Sequence, residues 1–181
     1  TLFDISLAIS SVLDMEELGE EVLWRSVGIL NASKGMMLKN TEASPILEPL
    51  ASFNWEEEKG LLSKKLKVFN EIRETKRGKI YTPNVKSEFQ KKINEEHIIV
   101  VPIQVKTTII GYMVLCNKET RQGVVEFSDE DLGLLSALCN QAAVAMDNAK
   151  LFKEISQAKQ FNESILGSIA TGVVTLDTLG E

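Results

Sequence analysis

The residues able to do chemistry in this chain are few and scattered. It holds one histidine, His97, and two cysteines, Cys116 and Cys139. The cysteines do not form a CxxC pair and both lie among apolar neighbours, which reads as buried free thiols in a reducing compartment. His97 stands just before an apolar run, where a lone histidine most often caps a strand or bonds to backbone. The runs Glu16-Glu17-Glu20-Glu21 and Glu56-Glu57-Glu58 read as solvated faces rather than paired catalytic carboxylates. No Gly-rich phosphate loop, nucleophile elbow or zinc-ligand spacing occurs in the sequence. Lys118 and Asp131 are spaced to tie a strand to the helix that follows it, as an ion pair that needs no ligand. From Lys59 to Lys79 eight Lys and Arg stand against Glu71 and Glu74, a local charge of +6. That cluster could dock an anion, lipid headgroups or an acidic partner, or be the solvated back of a helix.

Composition bounds the rest. The chain has 181 residues, 44% hydrophobic and 25% charged, an ordinary globular balance with room for one packed domain and part of another. Its net charge of −6 argues against general nucleic-acid binding. No stretch approaches the roughly 20 apolar residues that span a bilayer, and no signal peptide opens the chain. Thr1 starts in a helical pattern and Glu181 ends in a strand pattern, so we expect a piece of a longer protein. The module is expected to be cytoplasmic, with a parent that could be anchored in an inner membrane.

Periodicity places the elements. Leu2, Ile5, Ile9, Val12 and Leu13 share one helical stripe. Asp14 with Glu17 forms a capping box for a second helix running to about Asn31, with Leu18, Val22, Val27, Leu30 and Trp24 in the core. Lys34-Gly35 punctuates the chain before strands at Met36–Lys39 and Leu47–Phe53. Trp55 is placed at a cavity rim. A helix over Ser63–Thr75, stopped by Gly78, is followed by the strand KIYTP and a short helix carrying Val85, Phe89 and Ile93. Ile98–Val105 is apolar on both faces and is expected at the sheet centre. There Pro102 requires a bulge or a break in pairing. Lys106, Thr107 and Thr108 turn it into a second apolar strand. Ser128 and Asp131 form a capping box for a helix reaching at least Asn162, far beyond the usual 11–12 residues or so.

These segments together resemble a GAF domain over about Leu2–Phe152. The resemblance is carried by LDMEELGEEVL, GKIYTPNV, VVPIQV…IIGYMVLCNK and FSDEDLGLLSALCNQAAVAMDNAKL. It implies an α+β fold with a central antiparallel sheet of about six strands. The N- and C-terminal helices would pack on one face, with a small-molecule cavity on the other and a long C-terminal signalling helix. Asn117-Lys118, Phe127 and Asp131 partly match the NK…F…DE signature of cyclic-nucleotide-binding members, and Leu132 stands where its last Glu would fall. Family geometry points to Tyr81, Thr82, Asn84, Phe89, Ile93 and His97 as cavity residues. Some members hold a haem ligand near His97. No Cys lies between Lys79 and Ile98, where many bilin-binding members carry theirs. Ile165–Gly180 resembles the start of a PAS domain, too short to fold alone, and is expected to extend the helix, pair with another chain or lack order. The division expected is residues 1–155 as sensory domain and 156–181 as signalling helix with the PAS start.

In the long helix, Leu135, Leu138, Ala142, Ala145, Ala149 and Phe152 follow three- and four-residue steps. A second register passes through Leu151, Ile155, Ala158, Asn162, Ile165 and Ile169. Two registers suggest a stutter-like break near Leu151, with Asn162 in a dimer core. The first register could equally pack on the domain's own sheet. The expected function is a regulatory module that binds an unknown small molecule or dimerises through its N- and C-terminal helices. It would signal to a downstream PAS and histidine kinase in the same chain. Alternatives are a ligand-free dimer scaffold, or the GAF module of a diguanylate cyclase or transcription activator. No cofactor, metal or catalytic residue is assigned. A methionine sulfoxide reductase-type activity is disfavoured because Cys116 and Cys139 are not clustered.

Overall fold

The computed structural model describes residues 15–55, 62–84 and 87–177, with side chains to residue 167. The stripe at residues 2–13, Asp14, Glu56-Glu57-Glu58, Lys59, Val85 and residues 178–181 lie outside them. The described residues up to Met146 belong to one compact unit and those from Asp147 to another.

The first unit opens with α1 (Met15–Leu30), followed by β1 (Ala32–Lys39), β2 (Ile46–Phe53) and β3 (Leu62–Ser63). Then come α2 (Lys67–Thr75), β4 (Lys79–Tyr81), α3 (Glu88–Ile93), β5 (Ile98–Val105), β6 (Thr108–Thr120), β7 (Gly123–Val125) and the start of α4 (Asp129–Asp177). The fold is α+β. The antiparallel sheet runs β3-β2-β1-β6-β5-β4, and β7 folds back on the far end of β6. The central pairs are β1 with β6 and β6 with β5, with Met36 against Val114 and Val100 against Val114. Val105 pairs with Thr108, so Lys106 and Thr107 alone make the hairpin loop, Lys106 at φ 55°.

Two apolar clusters sandwich the sheet. On one face α1 and α4 contribute Leu23, Val27, Leu30, Leu135, Cys139, Ala143 and Met146, over Met37, Ile99, Val101, Met113 and Leu115. On the other, α2 and α3 contribute Phe69, Ile72, Phe89 and Ile93, over Met36, Leu38, Ile98, Val100, Tyr112 and Val114. The alternation along β5 and β6 explains why both read as apolar throughout: each face is buried against its own helices.

Several expectations are corrected. Strand β1 begins at Ala32, not Met36, and Lys34-Gly35 lies inside it. A Cβ on Gly35 would come within 2.8–2.9 Å of Leu115, Val27 and Leu23, so this glycine is a close approach of α1 to the sheet rather than a turn. Helix α2 starts at Lys67, after Leu62 and Leu66. It is closed by Lys76 at φ 57°, whose N–H donates to Ile72, and not by Gly78. Gly78 instead has Val100 O, Val101 and Leu132 within 2.9 Å of where a Cβ would stand. Trp24 is not core: it is 57% exposed, its ring edge-on to Phe53 at 4.7 Å. The break in β5 falls one residue beyond Pro102, between Ile103 and Gln104. Strand β4 reaches only Val100, so Pro102 lies where the outer edge of β5 has no partner strand among the described residues, the setting that tolerates a missing N–H. Residues 165–177 continue α4 as helix.

Candidate functional site

The face covered by α2 and α3 gathers most of the residues expected to line a cavity. Tyr81 in β4 meets Phe89 at 5.9 Å with its ring tilted, Phe89 meets Phe69 edge-on at 5.6 Å, and Phe69 meets Tyr112 tilted at 4.7 Å. Phe89 and Ile93 are buried and Tyr81 packs against the same cluster. Burial pushes the Tyr81 phenol up, with the Glu71 charge adding to it. Thr82 contributes its carbonyl, which accepts from Gln90 Nε2 at 2.9 Å. Asn84 is exposed.

Gln90 was missed by the sequence reading, yet it holds this wall together. Its Nε2 also donates to Glu96 O at 2.7 Å, and its Oε1 accepts from Ser87 N at 2.8 Å. Ser87 Oγ accepts in turn from Gln90 N at 3.1 Å. The signal was present: Ser87 and Gln90 are spaced as a capping box. Tyr112 is a second omission. It is fully buried in β6. Burial pushes its phenol up and Arg73 opposes that.

The polar end of this face is the most unusual feature of the unit. Asn31, Asn54, Asn94 and Asn117 all adopt φ of 50–57°, a conformation Asn tolerates because its short amide can bond locally. All four fall at one end of the sheet. Asn54 Nδ2 donates to Ser33 O at 3.1 Å, Glu119 N to Asn31 O at 2.8 Å and Asn117 N to His97 O at 2.9 Å. Beside them Lys34 pairs with Glu95, whose second oxygen accepts from Asn117 Nδ2 at 2.7 Å. Two ring nitrogens at this end, Trp55 Nε1 and His97 Nδ1, are buried and have no hydrogen-bond partner among the described residues. Trp55 packs against the cluster. The long-range partners Lys34 and Glu95, 61 residues apart, could not be paired from spacing.

Lys118 Nζ donates to both Asp131 oxygens at 2.8 Å. Asp131 also accepts from Ser128 N at 2.8 Å, and its own N–H donates to Ser128 Oγ at 3.2 Å. Burial alone would raise this carboxyl; the Lys118 and Ser128 donors outweigh it and hold it below the ordinary value. Leu132 packs over Gly78, so an apolar residue fits where the signature has Glu. Within the basic cluster, Lys67 and Lys79 both pair with Glu71. The Lys79 hydrogen bond is the main cause of the lowered Glu71 pKa. Lys64 bonds Thr41 O and Arg73 reaches Lys64 O at 3.4 Å.

Cys116 and Cys139 lie on opposite faces of the sheet. Burial pushes both thiols up, with the Glu95 charge adding to it at Cys116. No group of three or more potential metal ligands occurs among the described residues.

On α4, Leu135 and Ala142 are buried, Leu138, Ala145 and Ala149 are partly covered, and Phe152, Ile155 and Asn162 are exposed. Within the first unit the first register turns toward the domain's own core, as Leu135 and Ala142 show. The second traces back in unbroken three- and four-residue steps to Leu134, so the two are different faces of one helix and the expected break near Leu151 is not needed.

An antiparallel sheet with helices on both faces, a capped long helix and a polar sheet end define an α+β domain. The GAF domain family matches residues 14–148, and the chain belongs to that family. Solved structures agree in fold. The GAF domain/HD domain protein from Geobacter sulfurreducens superposes with TM-score 0.65 at 15% identity, over 78% of this chain and 97% of that one. Residues 122 to 287 of a methyl-accepting chemotaxis protein give 0.64 at 16%, over 82% and 98%. The second GAF domain of DevS from Mycobacterium smegmatis gives 0.62 at 14%, over 78% and 99%. None of the curated proteins matches the chain in sequence. No helix among the described residues is long and apolar enough to cross a membrane.

Proposed function

We propose that this GAF domain is a cytoplasmic regulatory module that dimerises and passes its state along α4. The output in the same chain would be a PAS domain and a histidine kinase of a phosphorelay. The observation that carries this reading is α4 itself. It starts on the Lys118–Asp131–Ser128 clamp and buries Leu135, Cys139, Ala143 and Met146. It then continues as one 49-residue helix to Asp177. Leu151, Phe152, Ile155, Phe161 and Leu166 are 47–67% exposed along it, a density of bare apolar side chains that favours a partner helix. A helix tied at one end to a sheet can carry a rotation or register shift to the next module. In this reading nucleic acid has no part, and no catalytic step is assigned: thiols with raised pKa are poor nucleophiles.

The signal in this reading is a small molecule at the polar sheet end. Unpaired buried nitrogens call for a hydrogen-bond partner, and Trp55 Nε1 and His97 Nδ1 have none among the described residues. A second reading, a scaffold that binds nothing, is favoured by the tight filling of the adjoining cluster, where Met36, Leu38, Phe69 and Tyr112 are 0–1% exposed. Native mass spectrometry before and after mild denaturation separates them. A dimer carrying a mass that is lost on denaturation supports the sensor. A dimer that stays empty, with the protein taken directly from fresh lysate, supports the scaffold. A monomer at all concentrations defeats both.

A further inference from the structure

The helices on the two faces of the sheet carry opposite charge. On one face, α2 and the turns flanking it present Lys65, Lys67, Arg73, Lys76 and Arg77 to solvent, and α3 adds Lys91 and Lys92. Lys64 and Lys79 stand half-buried at the margin. Against these nine cations the same segments hold Glu71, Glu74 and Glu88, and Glu71 is already shared by Lys67 and Lys79. Glu95 and Glu96 follow α3, and Glu95 is taken by Lys34. Lys65, Lys76, Arg77, Lys91 and Lys92 pair with no carboxylate among the described residues. On the other face, α1 and the start of α4 expose Glu16, Glu17, Glu20, Glu21, Asp129 and Glu130, and Arg25 is the one cation among residues 15–30 and 129–146. A helix is roughly 10–12 Å across, so the two charged surfaces lie about 20 Å or more apart with the sheet between them. Charges in physiological salt are screened over about 8 Å. A partner at the α2–α3 face therefore meets its cations and little of the chain's net charge of −6.

The chemistry of this face narrows the partner. No large apolar side chain is exposed among the described residues from 62 to 96. Protein interfaces are anchored by aromatic and large apolar groups and are depleted in Lys. Single-stranded nucleic acids are gripped by exposed aromatics on which bases stack. Seven of the nine cations are Lys, a mobile point charge without the fork by which Arg holds one carboxylate or phosphate. Such a set suits a diffuse layer of negative charge rather than a shaped site. We propose that the α2–α3 face docks on a membrane surface rich in anionic lipid headgroups, held by charge and without insertion. The proposal is independent of the dimeric reading of α4.

The test is co-sedimentation of the whole chain with vesicles of phosphatidylcholine, and with vesicles of equal parts phosphatidylcholine and phosphatidylglycerol. Binding is expected to the anionic vesicles only, and is lost at high salt. The triple variant Lys65→Glu, Lys91→Glu, Lys92→Glu should bind them about a hundredfold more weakly. All three side chains are exposed, so its thermal unfolding should match that of the parent; if it does not fold, the triple change to Gln takes its place. Lys150→Glu, Lys153→Glu, Lys159→Glu makes the same change of net charge at exposed positions of α4 and should leave binding within about twofold. No binding to anionic vesicles at low salt overturns the proposal. Equal loss in the two triple variants overturns it as well, because net charge and not this face would then attract the lipid. Binding to poly-glutamate or to RNA through the same three lysines, with the vesicles ignored, overturns the lipid as occupant and assigns the face to an acidic protein or a nucleic acid.

Discussion

Asp131 shows how one side chain can serve two elements. It accepts from Lys118 of β6 and from Ser128 at the start of α4, so the strand and the helix share one carboxylate. Its pKa is lowered in the folded state. A depressed carboxyl contributes stability that is present above its unfolded value, near about 3.9, and lost as pH falls through the folded value. Urea unfolding should therefore show stability falling from about pH 5 downward, less steeply in Asp131→Asn. At pH 7 that variant should be less stable by about 1–3 kcal/mol, since it replaces the charged partner of Lys118 with a neutral amide that keeps only one acceptor oxygen. Trp55 is the reverse case. Its indole N–H is buried without a partner among the described residues, and an unpaired donor carries a penalty of about 1–3 kcal/mol. Trp55→Phe should thus unfold at the same temperature as the parent or higher when no ligand is present. A marked drop in thermal unfolding would show that Nε1 has an acceptor.

At the scale of elements, helix α1 sits close on the sheet because Gly35 has no side chain. Gly35→Ala would push against Val27, Leu23 and Leu115 at 2.8–2.9 Å. It should cost about 1–3 kcal/mol in chemical denaturation, the usual price of overfilling a core. An unchanged midpoint would mean that α1 rides up at no cost. Helix α3 has six residues, too few to persist alone, and stands on its capping box and on Gln90. Ser87→Ala should cost about 1 kcal/mol in the same assay. The apolar strands, the hairpin at Lys106-Thr107 and the Ser128 cap were legible because each depends on neighbours in sequence. Lys34-Gly35 and Gly78 were misread as punctuation because local rules assign glycine to turns. Their actual reasons are Leu23 and Val27 in one case and Val100 and Leu132 in the other, residues that only packing brings near.

For the whole molecule, association and stability should be linked. A ligand or partner that binds only the folded state raises the unfolding temperature by mass action. The melting temperature of the chain should therefore rise with its concentration, and Ile155→Glu, which places a charge among the bare apolar side chains of α4, should abolish that dependence. A melting temperature independent of concentration in the parent would argue against a dimer. The same variant should leave near-ultraviolet circular dichroism unchanged, because Ile155 is 67% exposed.

Length, periodicity and capping signals in the sequence were enough to determine an α+β domain with buried strands on both faces and a long capped helix, while the ion pair of Lys118 with Asp131 was one of two readings of those residues. Those features arise from spacings of two, three or four residues, or from one strand-to-helix connection. Tertiary structure alone decided which register of α4 is spent on the domain's own core and which is left bare, since two faces of one helix look alike until one is covered. It also decided the Lys34–Glu95–Asn117 network and the burial of Trp55 Nε1 and His97 Nδ1. These depend on strands distant in the chain arriving at the same end of one sheet.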